Sequence, residues 1–369
     1  MKIDVITRHS VANYGSILQS YATQRAFEKL GYECEIIDYT KDEEQGKNIA
    51  KTLCNNSDFW KKNIITRSIY FLIQTPNYLY SYKKFKKFRK KLLRQTEIEY
   101  TSFEQLKNNP PKADIYCSGS DQIWGKIGNE DCDKSYFLEF APKGKKCISY
   151  AASIGKTNIS NETKLKMKQY LDKYSKILVR EKSAVEIINQ LGINNVELVL
   201  DPTLLLNKDE WNSIIDVRPR YDKYVLVYQL HDNKEFVEYA KNFSKKIGLK
   251  LVRICPSMQN LIRGGKGIFL PTPQEFMAYF KNAEYVVTDS FHGTVFSLIF
   301  NRKFIDILPK ETSTRITNIL ELTNCQDRIL KDYNDYSWVE RKIDYENVNR
   351  ILNEYRKKSI EKLNDAILK

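Results

Sequence analysis

The stretch KIDVITRHSVANYGSILQSYATQRAFEKLGYECEIID, residues 2–38, reads as strand, helix, strand. KIDVIT (2–7) and ECEIID (33–38) are short runs that favour extended backbone. Between them the apolar residues 17, 18, 21, 22 and 26 recur at helical spacing. The same alternation continues through ADIYC (113–117), KCISYAA (146–152), KILV (176–179) and VELVL (196–200). After Pro202 a second series follows: KYVLVYQL (223–230), LKLVRIC (249–255), AEYVVTD (283–289) and RKFIDIL (302–308). Apolar strands separated by helices imply parallel sheets covered on both faces. The chain is therefore expected to form two doubly wound, Rossmann-like α/β domains, 1–200 and 201–369, the second ending in a helical tail. The boundary is placed in LDPTLLLNKDE (200–210), and the cleft between two such domains is the expected ligand site.

The 369 residues carry 60 Lys+Arg against 46 Asp+Glu, a formal net charge of +14. At roughly 100–200 residues per domain, this length suits two domains that each bury a core. With 42% hydrophobic and 12% aromatic residues and only 14 Gly and 10 Pro, disordered, collagen-like and low-complexity chains are excluded. No apolar run is long enough for a membrane span, and MKIDVITRHSVANYG lacks the apolar core of a signal peptide. A cytoplasmic location is expected. The seven cysteines are spread out with no C-x-x-C, and the three histidines, 9, 231 and 292, are far apart. No disulfide framework, metal or cofactor is expected.

One segment breaks the rhythm. YKKFKKFRKKLLR (82–94) holds eight basic residues and no acidic one, with Tyr82, Phe85, Phe88 and Leu92 forming one apolar stripe on a helix. Two readings fit: a solvated helix packed on the first domain, or a basic amphipathic helix on an anionic membrane surface, at the inner face of the cell membrane. Nucleic acid is not expected, because no recognition motif accompanies the charge.

In open parallel sheets, ligands bind beyond the carboxyl ends of the strands. After the first strand, Asn13, Tyr14, Gly15 and Ser16 open a helix, where a glycine either lets backbone approach a ligand or merely serves the turn. After ADIYC comes SGSDQIWG (118–125). There Ser120, Asp121, Gln122 and Trp124 read as a ligand-facing loop, with Asp121 either a general base or a helix cap. Arg180 follows KILV and can clamp a carboxylate or phosphate, or form a salt bridge. In VVTDSFHGTVFSLIF (286–300), Ser290, His292, Gly293 and Thr294 lead from strand to helix. The histidine there can serve as acid or base, and the first-turn N–H groups can hold an anion. Arg315, in STRITNILELT, is a further anion-binding candidate.

Taken in order, NYGSILQSYATQRAFEKLGYECEIIDY, SGSDQIWG, SYAASIG (149–155), LVREKSA (178–184), VLDPTLLL (199–206), TDSFHGT and STRITNILELT together resemble the polysaccharide pyruvyl transferase family. The likeness runs from about residue 3 to about residue 325 and is weak in 45–110. It implies the two-domain architecture of the B-type glycosyltransferases, with phosphoenolpyruvate as co-substrate and a saccharide acceptor, free or polyprenyl-diphosphate-linked. The implied product is a pyruvate ketal on a cell-surface polysaccharide. By the same resemblance His292 is the acid/base or phosphate contact and Asp121 activates a sugar hydroxyl. Arg180, Ser290, Gly293, Thr294 and Arg315 would bind the donor. Asn13, Tyr14, Gly15, Ser16, Ser120, Gln122 and Trp124 would face the acceptor. The chain departs from the family at Ser290-Phe291-His292, where better-understood relatives carry Arg-x-His.

Two other readings share the architecture. A nucleotide-sugar glycosyltransferase would show a Gly-rich phosphate loop, for which RGGKG (263–267) is the nearest match. A non-catalytic saccharide-binding protein of a capsule assembly complex would bind acceptor without donor.

Overall fold

The structure, a computed structural model, describes residues 1–46, 48–125, 132–309 and 313–369. The chain divides into two compact units, Met1–Pro202 with Ile360–Lys369, and Thr203–Ser359. The sequence-based boundary placed 201–369 together, whereas the last ten residues belong with the first unit.

The first unit runs β1 (Lys2–Ile6), α1 (Tyr14–Lys29), β2 (Glu33–Ile36), α2 (Ile49–Asn55), α3 (Ile64–Leu92), α4 (Phe103–Asn108), β3 (Ile115–Ser118), β4 (Lys146–Ala152), α5 (Asn161–Leu171), β5 (Tyr174–Val179), α6 (Lys182–Gln190) and β6 (Val196–Leu198). Its six strands are all parallel, in the order β2-β1-β3-β4-β5-β6. Ile3, Val5, Ile36, Ile115 and Ile177 are fully or almost fully buried, as expected of strands covered on both faces. α1 begins where the Asn13 side chain accepts hydrogen bonds from the amides of Gly15 (2.8 Å) and Ser16 (3.4 Å), an N-cap that satisfies two otherwise orphaned donors.

For the basic segment, α3 follows the first of the two readings, a helix packed on the first unit. The stripe of the basic segment does not face outward: Phe85 and Phe88 are buried in the unit, Phe85 with its ring 5.1 Å from that of Tyr14. α2 and α3 carry a small core of their own, in which Ala50, Cys54 and Tyr70 are packed by Trp60, Phe71 and Tyr78.

The chain continues with α7 (Pro202–Leu205), α8 (Lys208–Asn212), β7 (Tyr224–Tyr228), α9 (Lys234–Lys246), β8 (Lys250–Cys255), β9 (Lys266–Phe269), α10 (Pro273–Asn282), β10 (Tyr285–Thr288), α11 (Phe291–Ile299), β11 (Lys303–Asp306), α12 (Thr314–Leu322) and α13 (Tyr345–Leu368), the second unit ending within α13 at Ser359. The second unit's five parallel strands are ordered β11-β10-β7-β8-β9. Phe236, Phe243, Val225, Val287 and Ile305 form the core under α9. RGGKG is not a phosphate loop. Gly264 and Gly265, at φ +82° and +87°, turn the chain into the edge strand β9, so no helix follows them as a phosphate cradle requires.

Candidate functional site

In the first unit the carboxyl ends of the strands gather four segments far apart in sequence. Arg180, just beyond β5, is almost fully buried. Its Nη1 donates to Asp201 Oδ2 at 2.6 Å and to Ser120 Oγ at 3.2 Å, while its Nη2 lies 3.6 Å from Asp121 Oδ1. Burial opposes its charge, but Asp201 and Asp121 outweigh burial and hold the guanidinium above its ordinary pKa. Asp121 Oδ2 accepts from Ser16 Oγ at 2.5 Å, which ties the start of α1 to the loop after β3.

Asp121 has φ +82°, a left-handed backbone that costs non-glycine residues on the order of 1 kcal/mol or more. It is pinned there because its carbonyl accepts from the amides of Ile123 (2.8 Å) and Ser153 (3.1 Å). The next loop is fixed from α6: the buried Glu181 accepts from Ser153 Oγ and from the amides of Ile154 (2.9 Å) and Gly155 (2.8 Å). Strain concentrated at one carboxylate, with every neighbour tied down, is the mark of a pre-organised site.

Two expected acceptor residues are core residues instead. Trp124 is buried, stacked on Phe137 at 5.5 Å, with its indole N–H donated to Tyr136 O. Tyr14 is buried against Phe85. Both were read as ligand-facing because they follow strands or turns, but a large ring gains more from a packed pocket than from water. Asn13 and Gly15 serve the α1 cap, and the Gln122 side chain lies against Gly155. The structure thus brings Ser16, Ser120, Asp121 and Arg180 together and adds Asp201 and Glu181, which sequence reasoning missed.

The second unit builds its strand ends around TDSFHGT. Thr288 Oγ1 donates to Tyr228 O and accepts from the Ser290 amide, locking the end of β10 to β7. Ser290 caps α11 by accepting from the Gly293 amide. Gly293 is required by proximity: a Cβ there would overlap the Thr288 side chain, so only glycine lets α11 start this close to β10. Thr294 donates to Asp306 Oδ1 at 2.8 Å. Asp306 is fully buried and its other oxygen has no hydrogen-bond partner among the described residues, so burial pushes its carboxyl well above the usual range. His292 sits in the first turn of α11, nearly buried, its ring 5.1 Å from that of Phe291. The Arg315 guanidinium lies 5.6 Å over the Phe291 ring, which places a cation beside the same turn.

The residue that sequence reasoning missed here is His231. Asp289 accepts from the amides of Leu230 (2.7 Å) and His231 (2.9 Å), and its Oδ2 lies 3.2 Å from His231 Nδ1. This hydrogen bond raises the imidazole's pKa against a partial burial that opposes it. The His231 side chain is 48% exposed, against 3% for Asp289. A second brace comes from below, where the buried Arg253 donates to Gln229 Oε1 (3.0 Å) and Gln229 donates to the carbonyls of His231 (2.9 Å) and Asn233 (3.2 Å). The signal was available, since HD follows KYVLVYQL directly at a strand end. A carboxylate-oriented imidazole that is half exposed is suited to proton transfer.

Among the described residues, no cluster of three or more His, Cys, Asp or Glu is placed to hold a metal ion, and no helix is long and apolar enough to cross a membrane.

Known structures share the architecture of two parallel-sheet domains of glycosyltransferase B type. A protein described as a UDP-N-acetylglucosamine 2-epimerase from Listeria monocytogenes aligns at TM-score 0.52 and 12% identity, covering 98% of this chain and 90% of that one. The S. aureus protein MnaA, in complex with UDP, aligns at TM-score 0.51 and 12% identity, covering 98% and 90%. At this identity the likeness speaks for the fold alone. No curated protein matches the chain. The model of one family, described as polysaccharide pyruvyl transferase, matches residues 13–309, which takes in both strand-end clusters and the TDSFHGT turn, and the chain belongs to that family.

Proposed function

We propose that the protein transfers pyruvate from phosphoenolpyruvate to two hydroxyls of one sugar in a polysaccharide or its lipid-linked precursor, releasing phosphate. The observation that carries this reading is the second unit's strand-end cluster. The Ser290-capped start of α11, with His292 in it and Arg315 beside it, suits a small dianion, and the Asp289-held His231 supplies a proton donor at the same sheet edge. No arginine precedes His292 by two residues, and Arg315 is the cation assigned in its place.

The chemistry balances as follows. Imidazolium His231 protonates the methylene carbon, which becomes a methyl group and leaves C2 an oxocarbenium-like centre. One sugar hydroxyl adds to C2 and passes its proton to a phosphoryl oxygen of the donor; Asp121, in the first unit, is proposed to accept a hydrogen bond from an acceptor hydroxyl. Phosphate departs with the C2–O bond electrons, held by His292 and the α11 N–H groups, and the neighbouring hydroxyl closes the ketal, its proton passing to the neutral His231 imidazole. Arg180 holds Asp121 in place, a positioning role in keeping with its bonds to Asp201 and Ser120.

The test is incubation with phosphoenolpyruvate and a panel of saccharide acceptors, following phosphate release and an acceptor mass gain of one pyruvate less water. Both signals should appear with at least one acceptor and vanish in His292→Ala. Glycosyl transfer from a nucleotide sugar, with phosphoenolpyruvate inert, would overturn the proposal.

A further inference from the structure

Helix α3 presents a face that the first unit does not use. Its inward side carries Tyr70, Asn77, Ser81, Phe85, Phe88 and Arg89, all buried. On the opposite side Ile65, Ile69, Leu72, Ile73 and Tyr80 share one helical face and stand exposed, Leu72 to 80%. The same face then continues as Lys83, Lys87, Lys90 and Lys91, all exposed. At its start Phe59 and Ile64 add further exposed apolar surface, Ile64 to 80%.

Isolated exposed aliphatics are ordinary, but a line of them along one helix is not. The residues around them share one charge sign. From Phe59 to Thr96 the sequence has eleven Lys and Arg and no Asp or Glu. A protein partner of ordinary composition would not call for so one-sided a surround, whereas an anionic bilayer does. Apolar side chains enter the acyl boundary while lysines meet the headgroups, each worth about 1 kcal/mol near such a surface. At about 1.5 Å per residue, the 29-residue helix is long enough to lie along a membrane over some 40 Å.

We infer that α3 docks the protein on an anionic lipid surface, with Ile65, Ile69, Leu72 and Ile73 inserted and Lys83, Lys87 and Lys90 on the headgroups. The inserted face is thus the opposite one to the Phe85/Phe88 stripe. The inference is independent of the proposed reaction, since it concerns a surface that takes no part in it.

Co-sedimentation of the full chain with vesicles of phosphatidylcholine containing phosphatidylglycerol, beside phosphatidylcholine alone, tests it. Binding should require the anionic lipid and fall steeply as salt is raised. Lys83→Gln/Lys87→Gln/Lys90→Gln should weaken it on the order of a hundredfold. Leu72→Glu/Ile73→Glu should abolish it without lowering the melting temperature, because both side chains are exposed. Absence of binding at low salt, equal binding to neutral vesicles, or unchanged binding by the glutamate variant would each overturn the inference. So would light scattering that shows a dimer dissolved by Leu72→Glu/Ile73→Glu in a protein that ignores vesicles, since the face would then belong to a second copy.

Discussion

In the first unit the cation at the strand ends, Arg180, is enclosed by Asp201 and Asp121. In the second the strand ends carry His231 and His292 beside the start of α11, and Asp289 is bound to one of them. The architecture is the same, with parallel strands ending in polar loops, but the charge is settled differently. In the first cluster two carboxylates face the cation, with hydroxyls and one strained carboxylate in fixed positions, which suits a neutral polyol. The second ends in helix N–H groups and titratable imidazoles, which suits a small anion. Two copies of one fold can thus be specialised by a few residues at the strand ends, because the sheets beneath them carry no chemistry.

The sharpest way to break this comparison is Arg180→Ala. It removes the cation that pairs with the buried Asp201, and a loss of about 3–5 kcal/mol in urea unfolding is expected. Arg180→Ala/Asp201→Ala should recover part of that loss, and equal losses in both variants would contradict the pairing. In the second unit Gly293→Ala forces a methyl group into Thr288, with about 1–3 kcal/mol lost. Gly293→Ala should cost less in a Thr288→Ala background, because the Thr288 hydroxyl is the atom the new methyl meets first.

A third test concerns pH. Asp4, fully buried in β1, has its carboxyl pushed up to about 7 by burial, although Lys2 lies 3.7 Å away and works against this. Because the folded state keeps a proton that the unfolded chain releases, stability should decline as pH rises from about 4 to 7. Asp4→Asn should remove on the order of 2 kcal/mol of that decline, seen as a flatter pH dependence of the melting temperature. The mildest test is Asp289→Asn. It should lower the His231 pKa toward the ordinary histidine value, read by proton NMR, where three histidines give three signals. The alkaline limb of the activity profile should move down with it, because His231 acts in its protonated form, and an unmoved His231 signal would separate the two residues.

Much of this was legible in the sequence. KCISYAA (146–152) became β4 over the same residues, and all ten strands read from β-branched runs are present. The missing one, β9, is a short glycine-containing edge strand, too weakly patterned to stand out. Strand-end logic located Asp121, Arg180 and His292, but it could not tell a loop residue facing solvent from one folded back into the core, as Trp124 and Tyr14 are. Nor could it show that Arg180 is spoken for, because Asp201 lies 21 residues away and meets it only through the adjacency of β5 and β6. His231 was passed over because its meaning depends on Asp289, 58 residues later. On α3 the periodicity was read correctly, but the periodicity alone could not say which of two faces the fold would bury.

The most direct measurement is a thermal-shift titration of the full chain with phosphoenolpyruvate, beside UDP-, GDP- and CMP-sugars, in wild type and His292→Ala. A ligand at 100 times its dissociation constant should stabilise the protein by about 2.7 kcal/mol. The account predicts a saturable shift with phosphoenolpyruvate that His292→Ala diminishes and no nucleotide sugar reproduces. A shift with one nucleotide sugar and none with phosphoenolpyruvate would contradict it.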